Sequence, residues 1–248
     1  MRRRRKSLVP TEHKKARLTW AAWVLKQSSR MLSRWIYTDG TVFYLARCAS
    51  ELTQKRRLAL GPMVWRQANG RDGLYEDCVG ASSYAKAQGT PVRIWGLLDN
   101  GILFVHVLLD GEKMNRWNYE WLIYNKFPGW IYKAFGSQCS TYLVQDHEKA
   151  LWCQEPADAM EEQRITRLDF PKCSQDCNPI EICWRELRAR LYTTEPTKME
   201  TRKEFIIRLR SAVEWVNKNR IGYLWWLSTC QREWALELQA EKGIRLKH

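Results

Sequence analysis

The chain has 248 residues, with 41 Lys and Arg against 27 Asp and Glu, for a formal charge of +14. That length holds one sizeable core in one or at most two domains, and the charge points to a polyanion, nucleic acid before acidic membrane surface. No stretch approaches the roughly 20 apolar residues of a membrane span; the best run, Gly101–Leu109, is short and contains His106, and the opening MRRRRKS lacks the apolar segment of a secretory signal.

Residues 1–17 are polar and basic, and they predict a disordered arm. Arg2, Arg3, Arg4, Arg5 and Lys6 form a run that suits a nuclear address or a grip on phosphates, against the plainer reading of a solvated terminus; Lys14, Lys15 and Arg17 extend the charge. An amphipathic helix is expected from Leu18 to Arg34. Two β-like runs follow, Trp35–Tyr37 and Val42–Leu45, and the Asp39-Gly40 pair between them reads as a hairpin turn. Residues 48–90 are irregular, with a basic knot at Lys55, Arg56 and Arg57 and one strand signal at Met63–Arg66. Val92–Leu98 and Ile102–Leu109 are strands joined at Asp99-Asn100-Gly101, where Asn-Gly marks a tight turn. These runs predict an antiparallel meander.

A helix from Met114 to Phe127 is expected to stop at Pro128-Gly129. Thr141–Val144 is a further strand ending at Gln145-Asp146-His147, followed by a helix through Glu162 and a strand at Ile165–Phe170. Then comes FPKCSQDCNPIEICWRELRARL, residues 170–191. Asn178 suits a helix N-cap, Pro179 the first helical position, and Glu181 could close a capping box. Ile180, Cys183, Trp184, Leu187 and Leu191 share one face, with Arg185, Arg188 and Arg190 off it. The remainder is helical, with a second capping box expected from Thr197 and Glu200 and an apolar stripe at Phe205, Ile206, Leu209, Val213 and Val216. Of eight cysteines only Cys173, Cys177 and Cys183 lie close together, and their spacing matches no zinc pattern, so reduced thiols in an intracellular protein are expected. The 14 tryptophans read as core aromatics.

A meander followed by alternating helices and strands describes an α/β, RNase H-like layout: a mixed sheet flanked by helices. In such a sheet the first and fourth strands are neighbours, which would bring Asp39 beside Asp146 with Glu181 facing them from its helix. Three clustered carboxylates without a cationic partner repel one another, and hard divalent ions with oxygen ligands relieve that.

The sequence resembles the mariner-type transposases of the Tc/mariner superfamily, whose catalytic domain carries an acidic triad on this fold. WIYTDGTVFY (35–44) is similar to the family's first-aspartate strand, RIWGLLDNG (93–101) to its Trp-Gly strand and turn, and YLVQDH (142–147) to its second-aspartate strand. Phe170–Trp184, with Asn-Pro-Ile-Glu followed by Trp, is similar to its most diagnostic block, and 34 residues separate Asp146 from Glu181, the family's spacing. The resemblance implies that Asp39, Asp146 and Glu181 are catalytic and hold two Mg²⁺ or Mn²⁺ ions for phosphodiester hydrolysis and strand transfer on duplex DNA. It implies no membrane and no small-molecule substrate, and it leaves a homodimer open. Arg2–Lys6, Lys55, Arg56, Arg57, Arg185 and Arg188 are the expected DNA contacts, and the nucleus is the expected location.

Departures from the family's pattern are Gly40, where a Glu is usual, Gln175 in place of a loop proline, and Cys177 in place of an apolar residue. His147 either orients substrate or is structural. Only 38 residues precede Asp39, too few for the two helix-turn-helix readers that the family joins to its catalytic domain. The expected organisation is an arm over 1–17, a catalytic domain over 18–220 and a helical extension over 221–248. The competing readings are a DNA-binding relic without turnover and a nuclease of the same fold without strand transfer.

Overall fold

The computed structural model describes residues 9–46, 89–194, 196 and 198–246. The expected basic groups Arg2–Lys6 and Lys55–Arg57, and the strand signal at Met63–Arg66, lie outside the described residues. Among the described residues, five strands form one mixed sheet: β1 (Trp35–Leu45), β2 (Thr90–Asp99), β3 (Ile102–Val107), β4 (Thr141–Val144) and β5 (Ile165–Arg167), in the order β3-β2-β1-β4-β5. The pairs β1–β2 and β2–β3 are antiparallel, while β1–β4 and β4–β5 are parallel. The expected adjacency of the first and fourth strands is therefore present.

The Asp39-Gly40 pair is not a turn. β1 runs straight through it, with Asp39 opposite Gly96 and Gly40 opposite Trp95. The glycine is required by a close approach: a Cβ at Gly40 would stand 2.7 Å from Cε3 of the Trp95 ring. The Asn-Gly signal, by contrast, marks the β2–β3 turn as read, with Asn100 and Gly101 both at positive φ.

Alternation along β1 divides the core. Trp35 and Tyr37 face one layer and Ile36 the other. The first layer holds helices α1 (Thr11–Leu25), the short α2 (Ser29–Leu32), α6 (Ile180–Thr193), α7 (Arg202–Asn219), α8 (Ile221–Thr229) and α9 (Gln231–Ala240). The second holds α3 (Arg116–Asn125), α4 (Phe127–Phe135) and α5 (Gln154–Glu162). None of the helices among the described residues is long and apolar enough to cross a membrane.

Several expected boundaries move. The first helix begins at Thr11 and breaks after Leu25, so residues 11–17 are not a disordered arm; Arg17 is wholly buried. Pro128 does not stop a helix but opens α4 from its first turn, where a proline has no partner to lose. The capping box on α7 is made by Thr201 and Glu204, one turn beyond the expected pair. Glu200 instead takes Arg208, at 2.6 Å, and Thr197 lies outside the described residues. Within the expected helical extension, Leu224, Leu227, Trp234, Leu238 and Leu246 belong to the same buried cluster as Trp35, Trp184 and Val24. The six cysteines among the described residues are free thiols, and Cys183 is packed as a small apolar residue.

Candidate active site

The parallel β1–β4 register sets two of the three expected acids. Tyr37 pairs with Val144, the last residue of β4; Asp39 follows two residues on along β1, on the same face as Tyr37, and Asp146 lies two residues past the end of β4, near enough for its charge to act on Asp39. That face carries α6, whose second residue is Glu181. The side chains interact. Burial, then the charges of Glu181 and Asp146, push Asp39 up to about 8. Burial, then Glu181 and Glu148, push Asp146 up to about 7. Glu181 is raised by burial and eased back by Arg188. Among the described residues no group of three His, Cys, Asp or Glu side chains is placed to hold a metal ion. The site is an open set of coupled carboxyls. Its all-oxygen donors, half removed from water and repelling one another, fit a hard divalent cation better than any softer ion.

The supports of the two aspartates come from the 170–184 block. Trp184 Nε1 donates to Oδ2 of Asp39 at 3.2 Å. The Gln175 side chain hydrogen-bonds the Asp146 carboxyl, so the residue standing in place of the family's proline supplies a contact. Asn178 Nδ2 donates to the Thr38 carbonyl at 3.3 Å, tying the start of α6 to β1 beside Asp39. Glu181 does not spend itself on a capping box, because the Asn178 N–H that such a box needs goes to the Gln175 carbonyl at 3.0 Å.

Arg188, expected as a DNA contact, turns inward. It donates to Thr41 Oγ1 and lies over the Phe43 ring. Arg185 is half-buried on the same helix. His147 stacks on Trp152 with ring centroids 4.2 Å apart, and its Nε2 meets the Phe170 carbonyl. Trp152 in turn donates to the Asp146 carbonyl at 3.1 Å. These contacts fit the structural reading of His147: it braces the chain around Asp146.

Sequence reasoning missed Arg17. Its guanidinium makes a bidentate pair with Asp176 at 2.8 and 2.6 Å, and it also bonds Ser174 Oγ and the carbonyls of Cys173, Gly243 and Ile244. It ties α1 and the C-terminal segment to the loop that carries Gln175. Nothing in the local pattern of basic residues singles it out.

Comparisons with known proteins bear on the sequence and on the fold. No protein-family model matches the chain. The "Transposable element Tcb1 transposase" of Caenorhabditis briggsae is 26% identical over 189 residues, 75% of this chain and 62% of that protein, so the chain spans less than two thirds of its relative's length. Among solved structures, the Mos1 transposase catalytic domain with Raltegravir and Mn is 12% identical, with a TM-score of 0.67 over 98% of this chain and 100% of that one. The Mos1 paired-end complex with the left transposon end is 13% identical, with a TM-score of 0.69 over all of this chain and 67% of that one. The Mos1 strand transfer complex gives 14% identity and a TM-score of 0.66 over 98% of this chain and 65% of that one. The resemblance carried by the motif blocks is thus met on both counts: the chain is similar in sequence to a Tc/mariner transposase, and it has the RNase H-like fold of the mariner catalytic domain.

Proposed function

We propose that this chain is the catalytic part of a DNA transposase, cutting and rejoining phosphodiesters with Asp39, Asp146 and Glu181 as the ligands of two Mg²⁺ or Mn²⁺ ions. One observation carries the reading: in a half-buried site the charge of Glu181, at the start of α6, raises the proton affinity of Asp39 on β1 and of Asp146 after β4, and Asp146 raises that of Asp39. Such repulsion is costly unless protons or cations neutralise it. Solved structures of the fold's neighbours contain Mn and Mg, which supports the choice of ion.

Bound there, such ions would activate a water or a 3′-hydroxyl and stabilise the leaving oxygen. The protein's own part is to hold the three acids. Trp184 fixes one oxygen of Asp39, Gln175 engages Asp146, and Arg188 keeps Glu181 nearer its ionised form. The charge of +14 supplies a surface for duplex DNA, and the neighbours' paired-end and strand transfer complexes support DNA as the substrate. We further infer assembly as a homodimer on that DNA, and a nuclear location served by the basic run at residues 2–6.

The experiment is nicking of supercoiled plasmid in Mn²⁺ by the parent, Asp39→Asn and Asp146→Asn. Nicking by the parent and none by either variant is expected. Duplex binding without nicking by the parent would replace this reading with that of an inactive relic.

A further inference from the structure

Trp184 is wholly buried on the apolar face of α6, and packing alone would account for a tryptophan there. Its surroundings show more. The indole lies on Gly96 of β2, where a Cβ would come within 2.9 Å of both Trp184 Cζ2 and the Phe104 carbonyl oxygen. Gly96 is the residue directly opposite Asp39 in the β1–β2 ladder. Only a bare backbone at that position lets the ring settle on the sheet, and from there its single N–H reaches sideways to Oδ2 of Asp39. An indole N–H donates and cannot accept, so it can orient a carboxylate without competing for its proton.

We propose that Trp184, seated on Gly96, is a positioning residue for Asp39, holding the carboxylate in the orientation in which it and its fellow acids take up a divalent cation. This rests on the metal reading above. Partners of this kind, one bond removed from the ion, fix the direction and basicity of the ligand they touch. The Gly96 seat and the Trp184 donor then form one device: the bare backbone admits the ring between β2 and α6, and the ring carries its N–H to Asp39.

The test separates packing from positioning. Trp184→Phe keeps an aromatic ring and removes the donor. Melting of parent and variant is followed by calorimetry across a Mn²⁺ titration, since an ion bound to the native state raises the melting temperature by mass action. Positioning predicts that the Mn²⁺ concentration giving half the stabilisation rises about 10-fold or more in the variant. A role in packing alone lowers the metal-free melting temperature and leaves that midpoint unchanged, which would overturn the proposal. If the parent itself gains nothing from Mn²⁺, the metal reading fails first and takes this one with it. Should the variant not fold, the unmutated protein labelled with ¹⁵N in its indoles is titrated with Mg²⁺. An indole resonance that moves with the same midpoint as the thermal stabilisation supports the proposal, and the absence of any such resonance overturns it.

Discussion

Arg17 on the first helix and Asp176 in the loop before α6 form a bidentate pair across 159 positions of sequence, with the arginine wholly removed from solvent. The carboxylate also accepts from the Leu246 N–H at 2.8 Å. Burial works against both charges. For Asp176 the arginine and the Leu246 N–H outweigh it, so its acidity ends below the ordinary carboxylate range. The pair therefore locks the loop carrying Gln175 to both ends of the described chain.

Removing one member should be far worse than removing both. Arg17→Met takes the bidentate cation from a buried carboxylate and leaves it the longer pair with Arg245 at 3.9 Å, at a cost of about 3–5 kcal/mol. Adding Asp176→Leu to it should recover part of that loss. Urea unfolding of the two variants and the parent measures the difference; equal losses in single and double variants would show that the pair does not couple the segments.

Gly40 allows a second prediction. The family usually has Glu at this place, and Gly40→Glu would put that accessory acid back. The Trp95 ring already fills the space a Cβ would need, and Trp95 Nε1 is held by Thr38 Oγ1 at 2.7 Å. The substitution should destabilise by roughly 1–3 kcal/mol through overpacking and should not raise nicking. Thermal melting and the plasmid assay read the two outcomes.

How much of this was legible in the sequence depends on how far away the deciding partner lies. Asn100-Gly101 makes its own turn, so the residues themselves announce it. The block from Asn178 to Trp184 was equally plain, since its cap, proline and apolar face are all local. Asp39-Gly40 was misread because glycine marks a turn and a close approach alike, and what distinguishes them is Trp95, on another strand. Pro128 was misread because a proline ends one helix and opens the next by the same chemistry. Arg17 carried no signal at all: one arginine among several basic residues, with its acid 159 positions on. The three candidate acids were picked out through motif resemblance, and the charge interactions among them needed the fold.

Asp99 gives a prediction in pH. It is fully buried at the end of β2, with neither carboxyl oxygen partnered, and burial raises it to about 8. The unfolded chain ionises this group near pH 4, so between about pH 4 and 8 the native state holds a proton that the unfolded state has lost. Its contribution to stability is present below pH 4 and is lost as pH rises toward 8. Asp99→Asn cannot titrate. The variant's stability should therefore fall less between pH 5 and pH 8.5, and parallel curves for parent and variant would show that Asp99 is already ionised in the native state.

Glu181 separates ligand from cap. As a cap its contribution would be a single hydrogen bond at a helix start, on the order of 1 kcal/mol, and Gln could still make it. The structure assigns the box's second donor to Gln175 instead, so Glu181→Gln should cost little stability. Without metal it should even match or slightly exceed the parent, because the charge that Glu181 sets against Asp39 and Asp146 is gone. Chemistry should behave differently. A neutral amide is a much weaker partner for a hard divalent ion, so Mn²⁺-dependent nicking should collapse and the thermal gain from Mn²⁺ should shrink with it. Duplex binding at low salt should survive, since it depends on the summed positive charge and not on this residue. Plasmid nicking, melting with and without Mn²⁺, and anisotropy with a labelled duplex read the three quantities on one preparation. A Gln variant that nicks as fast as the parent would remove Glu181 from the triad.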